Sequence, residues 1–261
     1  MNATGQSASP QTTGRRRGPV IWGAWALTVV FTLSGCFGQE ATGLGLEKYP
    51  LHTNITATTF WVGEVYDPDA SDGSQEFSTY DSRWMESFGG CDGVIIDGVC
   101  ETEARTAGNG YFPTSMTPLQ NPFYLDLPYD DINNANGFAM RDQVIPWAGE
   151  APYSDHVGDR RFSYMKNRWV QISRGDRVCY GQIQDAGPGV YDDHEYVFGS
   201  DDRRPQNTEW SNAGLDVSPA LNGCLGFEKL DFTQSVNWRF VDEVDVPAGP
   251  WKQIVTTSGV Q

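Results

Sequence analysis

The chain has 261 residues, with 18 basic and 34 acidic side chains and a formal net charge of −16. This acidity argues against nucleic acid or an anionic lipid surface as the main partner, because both repel negative charge. Three histidines and no Cys/His cluster leave little for a zinc site, and no metal or cofactor is predicted. Glycine and proline form about a sixth of the chain and aromatic residues are abundant, which favours short strands joined by turns.

The N-terminal residues predict an exported protein. Three arginines at 15–17 precede an apolar run over 20–33, which is too short to span a bilayer but suits a signal peptide. The run ends in Leu33-Ser34-Gly35-Cys36, which resembles the lipobox of bacterial lipoproteins, where the cysteine takes a lipid. We therefore expect a signal peptide over 1–35, lipidation of Cys36 and a membrane-anchored location in a bacterial cell envelope. The alternative is an ordinary anchor helix with a chance cysteine.

Four further cysteines follow the predicted lipidation site. Residues 1–35 hold three arginines and no acid, so the remaining chain has 15 basic and 34 acidic groups and a charge of −19. An even number of cysteines in an exported chain indicates two disulfides. Three pairings are possible, and proximity favours Cys91 with Cys100 and Cys179 with Cys224.

Patterned sequence begins after a short tether. Residues 36–54 lack periodicity and are interpreted as the tether. A β-branched and aromatic run at 55–62 predicts the first strand of a single domain over 55–252. Residues 66–120, rich in Gly, Asp and Ser, are interpreted as a long insertion that carries the small cysteine loop.

The second half of the chain has the clearest local signals. A strand is predicted at 123–128, ending at a proline, and a β-hairpin at 168–183 with Gly175 in its turn. Ser218 and Pro219 are typical of the cap and first position of a helix, which Gly226 would end. The last strand is predicted at 236–241, with three apolar side chains on one face: Val236, Trp238 and Phe240.

Two aspartates stand at strand ends. Asp185 precedes the turn Ala186-Gly187-Pro188, and Asp216 precedes the capped helix at Ser218. The loop at 191–210 between them could form one wall of a cleft. The structural alternatives are that Asp185 only bonds its own turn and that Asp216 only braces the segment before the helix.

These motifs resemble the double-psi β-barrel domains of rare lipoprotein A, bacterial expansins and glycoside hydrolase family 45. The resemblance is carried by Asp185-Ala186-Gly187-Pro188, by Asp216-Val217-Ser218 and by the tryptophan-containing strand at 236–239. It implies an all-β, six-stranded double-psi β-barrel with short helices. It also implies that a groove across the barrel receives a cell-wall polysaccharide, such as peptidoglycan.

The resemblance assigns catalytic roles to Asp185 and Asp216. Asp185 matches the aspartate that rare lipoprotein A enzymes use in cutting glycan strands, and Asp216 matches the general acid of family 45. A glycosidic oxygen leaves readily only when it is protonated, so such an acid must keep its proton near neutral pH. Four aromatic residues are predicted to bind substrate, with burial in the core as the alternative: Trp61, Tyr124, Tyr191 and Trp210.

Two departures leave the activity open. Family 45 has a catalytic base where this chain has Val62, and rare lipoprotein A enzymes have a histidine where this chain has Tyr124. Cleavage of a lytic transglycosylase or glycosidase kind is one hypothesis. A non-catalytic glycan-binding module is the second. A structural lipoprotein with a protein partner is the third.

Overall fold

A computed structural model describes residues 48–71, 73–230 and 233–261. The predicted signal peptide and the lipidation site Cys36 lie outside these residues. Within the described residues no helix combines the length and the apolar character needed to cross a membrane.

The described residues form eight strands and four short α-helices. In order they are β1 (His52–Thr59), α1 (Trp84–Phe88), β2 (Val94–Ile96), β3 (Val99–Glu101), β4 (Tyr124–Leu127), α2 (Ala135–Val144), β5 (Trp169–Arg174), β6 (Arg177–Ala186), α3 (His194–Val197), β7 (Leu215–Val217), α4 (Pro219–Leu225) and β8 (Gln234–Val241).

Six of the strands close into a barrel in the order β1-β7-β4-β6-β5-β8, while β2 and β3 form a separate hairpin. Two neighbouring pairs are parallel, β1 with β7 and β4 with β6, and the other four are antiparallel. In chain order the first three barrel strands are β1, β4 and β5, and the last three are β6, β7 and β8. If each strand of the first set is exchanged for the corresponding strand of the second set, the order of neighbours around the barrel and the two parallel pairs stay the same. This internal two-fold pattern confirms the predicted double-psi β-barrel.

The locally encoded elements are confirmed. Strands β5 and β6 pair as the predicted hairpin, with Gly175 in the left-handed conformation at φ 59°. The Ser218 hydroxyl accepts the Leu221 amide at the start of α4, and Gly226 ends that helix in the left-handed region. The inward face of β8 carries Val236, Trp238 and Phe240, all buried.

The first strand begins and ends three residues earlier than predicted. His52 pairs with Trp238 across β1 and β8, and its ring stacks on the Trp238 ring with centroids 4.1 Å apart. Residues 52–54 therefore belong to the barrel and not to a tether. At the other end, Phe60 and Val62 leave the sheet and join a second apolar cluster with Trp84 and Phe88.

Both disulfides have the predicted pairing. Cys91–Cys100 closes the β2–β3 hairpin inside the insertion, and Cys179–Cys224 joins β6 to α4. The second bond links two segments that are 45 residues apart in sequence.

Candidate active site

Three aspartates occupy one level of three adjacent strands. Asp126 on β4 is the register partner of Asp216 on β7 and also of Asp185 on β6. On the far side of Asp216, the register partner is Thr58 on β1. We call Asp216, Asp126 and Asp185 the carboxylate row.

Strand geometry explains why the three side chains share a face. Side chains alternate across a strand, and Leu125 and Leu127 point into the barrel core, so Asp126 points outward. The pairing of β4 with β6 is irregular just after Leu125, and Asp185 rather than Gln184 becomes the partner of Asp126. This β-bulge brings the Asp185 side chain into the row.

The hydrogen bonds differ among the three carboxylates. Asp185 Oδ1 accepts two backbone amides, those of Thr79 at 2.7 Å and Ala186 at 2.8 Å. Asp126 Oδ1 accepts the amide of Asp216 at 2.8 Å. The Thr58 hydroxyl donates to Asp216 Oδ1. Asp185 is therefore the best equipped of the three to remain ionised, because two amide donors stabilise its charge.

Burial raises the pKa of every member of the row, and repulsion within the row adds to this for Asp216 and Asp126. Burial raises the pKa of Asp216 to about 7, with the charge of Asp185 as the second cause. Burial also raises the pKa of Asp185 to about 6. The pKa of Asp126 lies well above its usual range, because of burial and then the charges of Asp216 and Asp185. Neighbouring carboxyls in such a site share protons at neutral pH.

Access to solvent separates Asp216 from the other two. Asp126 and Asp185 are only 4% and 6% exposed, whereas Asp216 is half-buried. The row thus combines one partly exposed aspartate, whose carboxyl keeps a proton near pH 7, with two aspartates that are almost fully buried. This combination suits proton donation to a bound substrate.

The turn after β6 packs closely against the row. A Cβ atom on Gly187 would lie 2.7 Å from Asp126 Oδ2, closer than side chains normally approach. Glycine therefore allows the backbone of the predicted Asp185-Ala186-Gly187-Pro188 turn to lie against the central carboxylate.

The four predicted substrate-binding aromatics are placed differently. Tyr124 is fully buried in the second apolar cluster, where its hydroxyl donates to Asp92 at 2.8 Å, so its ring offers no solvent-facing surface. Trp61 is half-buried and its ring N–H donates to the Cys100 carbonyl at 2.9 Å. Tyr191 and Trp210 are 46% and 59% exposed, so their rings are open to solvent.

Trp210 forms an exposed aromatic pair that the sequence did not reveal. Its ring meets the Tyr66 ring edge to face, with centroids 6.3 Å apart. Trp210, Ser211 and Asn212 all have positive φ, between 43° and 63°. Three consecutive left-handed residues are costly, and such backbone strain is concentrated at functional sites.

A cavity of about 320 Å³ lies on a neighbouring face, between α2 and the segment that leads into α3. It is lined by Tyr129, Asn136, Ala139, Met140, Asp192 and His194. None of the three aspartates of the carboxylate row lines this cavity, so the cavity is separate from the row.

Asp126 is the site residue that sequence reasoning missed. Its signal was the alternation Tyr124-Leu125-Asp126-Leu127, in which a carboxylate interrupts an otherwise apolar strand.

In the part of the chain that the structure describes, no group of three or more His, Cys, Asp or Glu side chains is arranged to hold a metal ion. Comparisons of the chain with protein-family models, curated proteins and solved structures find no match.

Proposed function

We propose that this protein acts on a cell-wall polysaccharide at the carboxylate row, with Asp216 as the acid. The observation that carries the proposal is the state of Asp216, which is partly exposed and whose pKa is raised to about 7 by burial and by the charge of Asp185. A carboxylic acid that retains its proton near neutral pH is what glycosidic cleavage requires. The resemblance to rare lipoprotein A, expansins and family 45 supports the same substrate class.

The proposed step uses Asp216 as proton donor. The Asp216 carboxyl protonates the glycosidic oxygen, and the C1–O bond breaks with its electron pair passing to that oxygen. A hydroxyl, from water or from the sugar itself, then adds at C1 and returns its proton to the site. The ionised Asp185 stabilises the positive charge that develops on the sugar, and Asp126 helps to keep the Asp216 proton in place.

The exposed aromatic rings support a polymeric sugar ligand. Trp210, six residues before Asp216 in the chain, and its ring partner Tyr66 are both exposed, and aromatic rings pack well against the apolar faces of sugars. We propose that the predicted lipid anchor at Cys36 holds this site at the bacterial envelope, where such polymers occur.

A second candidate function is glycan binding or loosening without cleavage. It is favoured by Val62, which is fully buried at the position where family 45 has its catalytic base. It is also favoured by the shielding of Asp126 and Asp185, which limits their direct contact with substrate. A structural role with a protein partner is the remaining alternative.

The deciding experiment is incubation of the purified chain with peptidoglycan and, separately, with cellulose, followed by mass spectrometry of the released sugars. We expect fragments whose release falls about 10²–10⁴-fold in Asp216→Asn, because a general acid contributes about that much. The matched control is Asp245→Asn, which changes an exposed acid after β8. An anhydro end on the fragments would identify a lytic transglycosylase.

Other results would favour the alternatives. Co-sedimentation of the protein with the wall, without released sugar, would support the binding module. Neither release nor co-sedimentation would contradict a glycan ligand and support a protein partner.

A further inference from the structure

A buried ammonium group lies beside the carboxylate row. Lys166 is 6% exposed, and Nζ has no hydrogen-bond partner among the described residues. The turn before it is well fixed, since the Lys166 amide donates to Ser163 Oγ at 2.9 Å. Burying a charged group without a partner is unfavourable, so its position calls for a compensating interaction.

Backbone and side-chain bonds hold the Lys166 segment against the end of β6. The Asn167 amide donates to the Ile183 carbonyl at 2.8 Å, and Gln184 Nε2 donates to Asn167 Oδ1 at 2.9 Å. Lys166 is therefore anchored next to the two residues that precede Asp185 in the strand.

The turn at 78–81 also contacts Asp185. Its Thr79 amide is one of the two donors to Asp185, and its Asp81 side chain is fully buried. Asp81 Oδ2 has no hydrogen-bond partner within the described residues. Within the described residues, Lys166 Nζ and Asp81 Oδ2 are thus two buried atoms without a hydrogen-bond partner, although Asp81 Oδ1 accepts the Arg83 amide. Both side chains lie close enough to act electrostatically on one another, and Asp185 also acts on Lys166.

The electrostatics agree with this geometry. Burial lowers the pKa of Lys166 to about 8, and the charges of Asp81 and Asp185 oppose that change. Lys166 therefore remains largely protonated at neutral pH, and its field acts on both carboxylates.

We propose that Lys166 is a positioning residue whose ammonium keeps the negative charge of the carboxylate row on Asp185, and thereby leaves the proton on Asp216. This inference rests on the proposed function, because it assigns the acid and the carboxylate of that same site. The unpartnered buried atoms and the anchoring of Lys166 beside β6 carry it.

The other ionisable groups around Asp185 act in the opposite direction. Asp126 and Asp216 face it from β4 and β7, and Asp130 faces it from the segment after β4. Tyr80 and Asp81 belong to the turn that covers it. None of these groups is positively charged, and the carboxylates among them disfavour a negative charge on Asp185, whereas Lys166 favours it.

The test is a direct titration of Asp185 by carboxyl ¹³C NMR in the wild-type chain and in Lys166→Met, which keeps the length of the side chain and removes its charge. We expect the pKa of Asp185 to rise from about 6 to above about 7, roughly a tenfold or larger increase in proton affinity. Lys166→Arg should restore the wild-type value. The control Lys252→Met removes a surface ammonium that pairs with Glu243 and should leave the pKa of Asp185 unchanged.

An unchanged Asp185 pKa in a folded Lys166→Met variant would overturn the proposal. If that variant does not fold, Asp81→Asn provides the second test, because it removes the competing carboxylate and leaves Lys166 to act on Asp185 alone. The pKa of Asp185 should then fall, and a rise or no change would contradict the proposal.

The titration separates this inference from the proposed function. A shifted Asp185 pKa in a protein that releases no sugar would support the role of Lys166 and contradict cleavage. Sugar release that keeps its wild-type pH profile in Lys166→Met, with an unshifted pKa, would support cleavage and contradict the role of Lys166.

Discussion

At the scale of single residues, the carboxylate row divides its tasks by hydrogen bonding and exposure rather than by residue type. Asp185 has two amide donors and little exposure, so it is built to hold a charge. Asp216 has a hydroxyl donor and is half-buried, so it can exchange a proton with a ligand. Asp126 lies between them, and its carboxylate accepts a hydrogen bond from the Asp216 amide.

The contact between Gly187 and Asp126 gives a residue-scale prediction. Gly187→Ala places a methyl group 2.7 Å from Asp126 Oδ2, so the carboxylate must rotate and weaken its bond to the Asp216 amide. We expect a loss of about 1–3 kcal/mol in the free energy of unfolding, measured by urea denaturation. Gly149→Ala is the matched control, because nothing lies within 4 Å of its added Cβ. Equal stability of the two variants would contradict the close approach.

At the scale of secondary-structure elements, the turn at Trp210–Asn212 presents an exposed ring at a backbone cost. The three left-handed residues are followed two residues later by β7, and just before that strand the Gly214 amide donates to the Thr56 carbonyl of β1. The strand that carries Asp216 and the turn that carries Trp210 are therefore one continuous segment.

This continuity predicts the phenotype of Trp210→Ala. Removal of the ring should weaken glycan binding by roughly tenfold, because burial of about 55 Å² of apolar ring surface against a sugar contributes about 1.4 kcal/mol. Co-sedimentation with peptidoglycan or the KM for sugar release provides the measurement. Val244→Ala, which trims an exposed apolar side chain after β8, should bind as the wild type does. If Trp210→Ala binds equally well, the ring does not contact the polymer.

The two disulfides make a second element-scale prediction. Cys179–Cys224 closes a separation of 45 residues and Cys91–Cys100 a separation of 9, so the longer loop restricts the unfolded chain more. Replacing Cys179 and Cys224 by alanine should cost about 4 kcal/mol, whereas replacing Cys91 and Cys100 should cost about 2.6 kcal/mol. Thermal denaturation of the two double variants checks the order. The reverse order would indicate that the insertion contributes more to stability than its short loop suggests.

At the scale of the whole molecule, the row makes folding stability depend on pH. Asp216 and Asp185 have folded-state pKa values of about 7 and about 6, above the ordinary value of 3.8. As the pH rises from 3.8, the unfolded chain loses these protons first, so their contribution to stability is present at low pH and is lost through the folded-state pKa.

Asp216→Asn should therefore stabilise the protein more at higher pH. We expect its free energy of unfolding to exceed that of the wild type by on the order of 2–4 kcal/mol at about pH 8 and to differ little at about pH 4, with a correspondingly higher Tm only at pH 8. Thermal denaturation at both pH values measures it, with Asp245→Asn as the surface control. A gain that is equal at both pH values would show that Asp216 does not hold its proton in the folded state.

The sequence predicted the parts of the molecule that short-range chemistry determines. The β5–β6 hairpin, α4 and β8 follow from a glycine turn, a serine cap and alternating apolar residues. Helix α2 was missed because its apolar residues follow no helical face, although Asn134 caps it by accepting two backbone amides. The row could be predicted only in part, since Asp126 joins it through pairings 59 and 90 residues away and through a bulge that no local pattern encodes.

The two-fold pattern of the barrel has a consequence for how a polymer can lie across it. Asp126 and Asp216 face each other at the centre of the pattern, so each is the counterpart of the other. The outer positions are also counterparts, but one is Thr58 and the other is Asp185. A chain with distinct reducing and non-reducing ends would therefore meet a hydroxyl at one end of the row and a charge at the other. The two directions in which such a polymer could bind would therefore differ in energy, because Thr58 occupies the position that corresponds to Asp185.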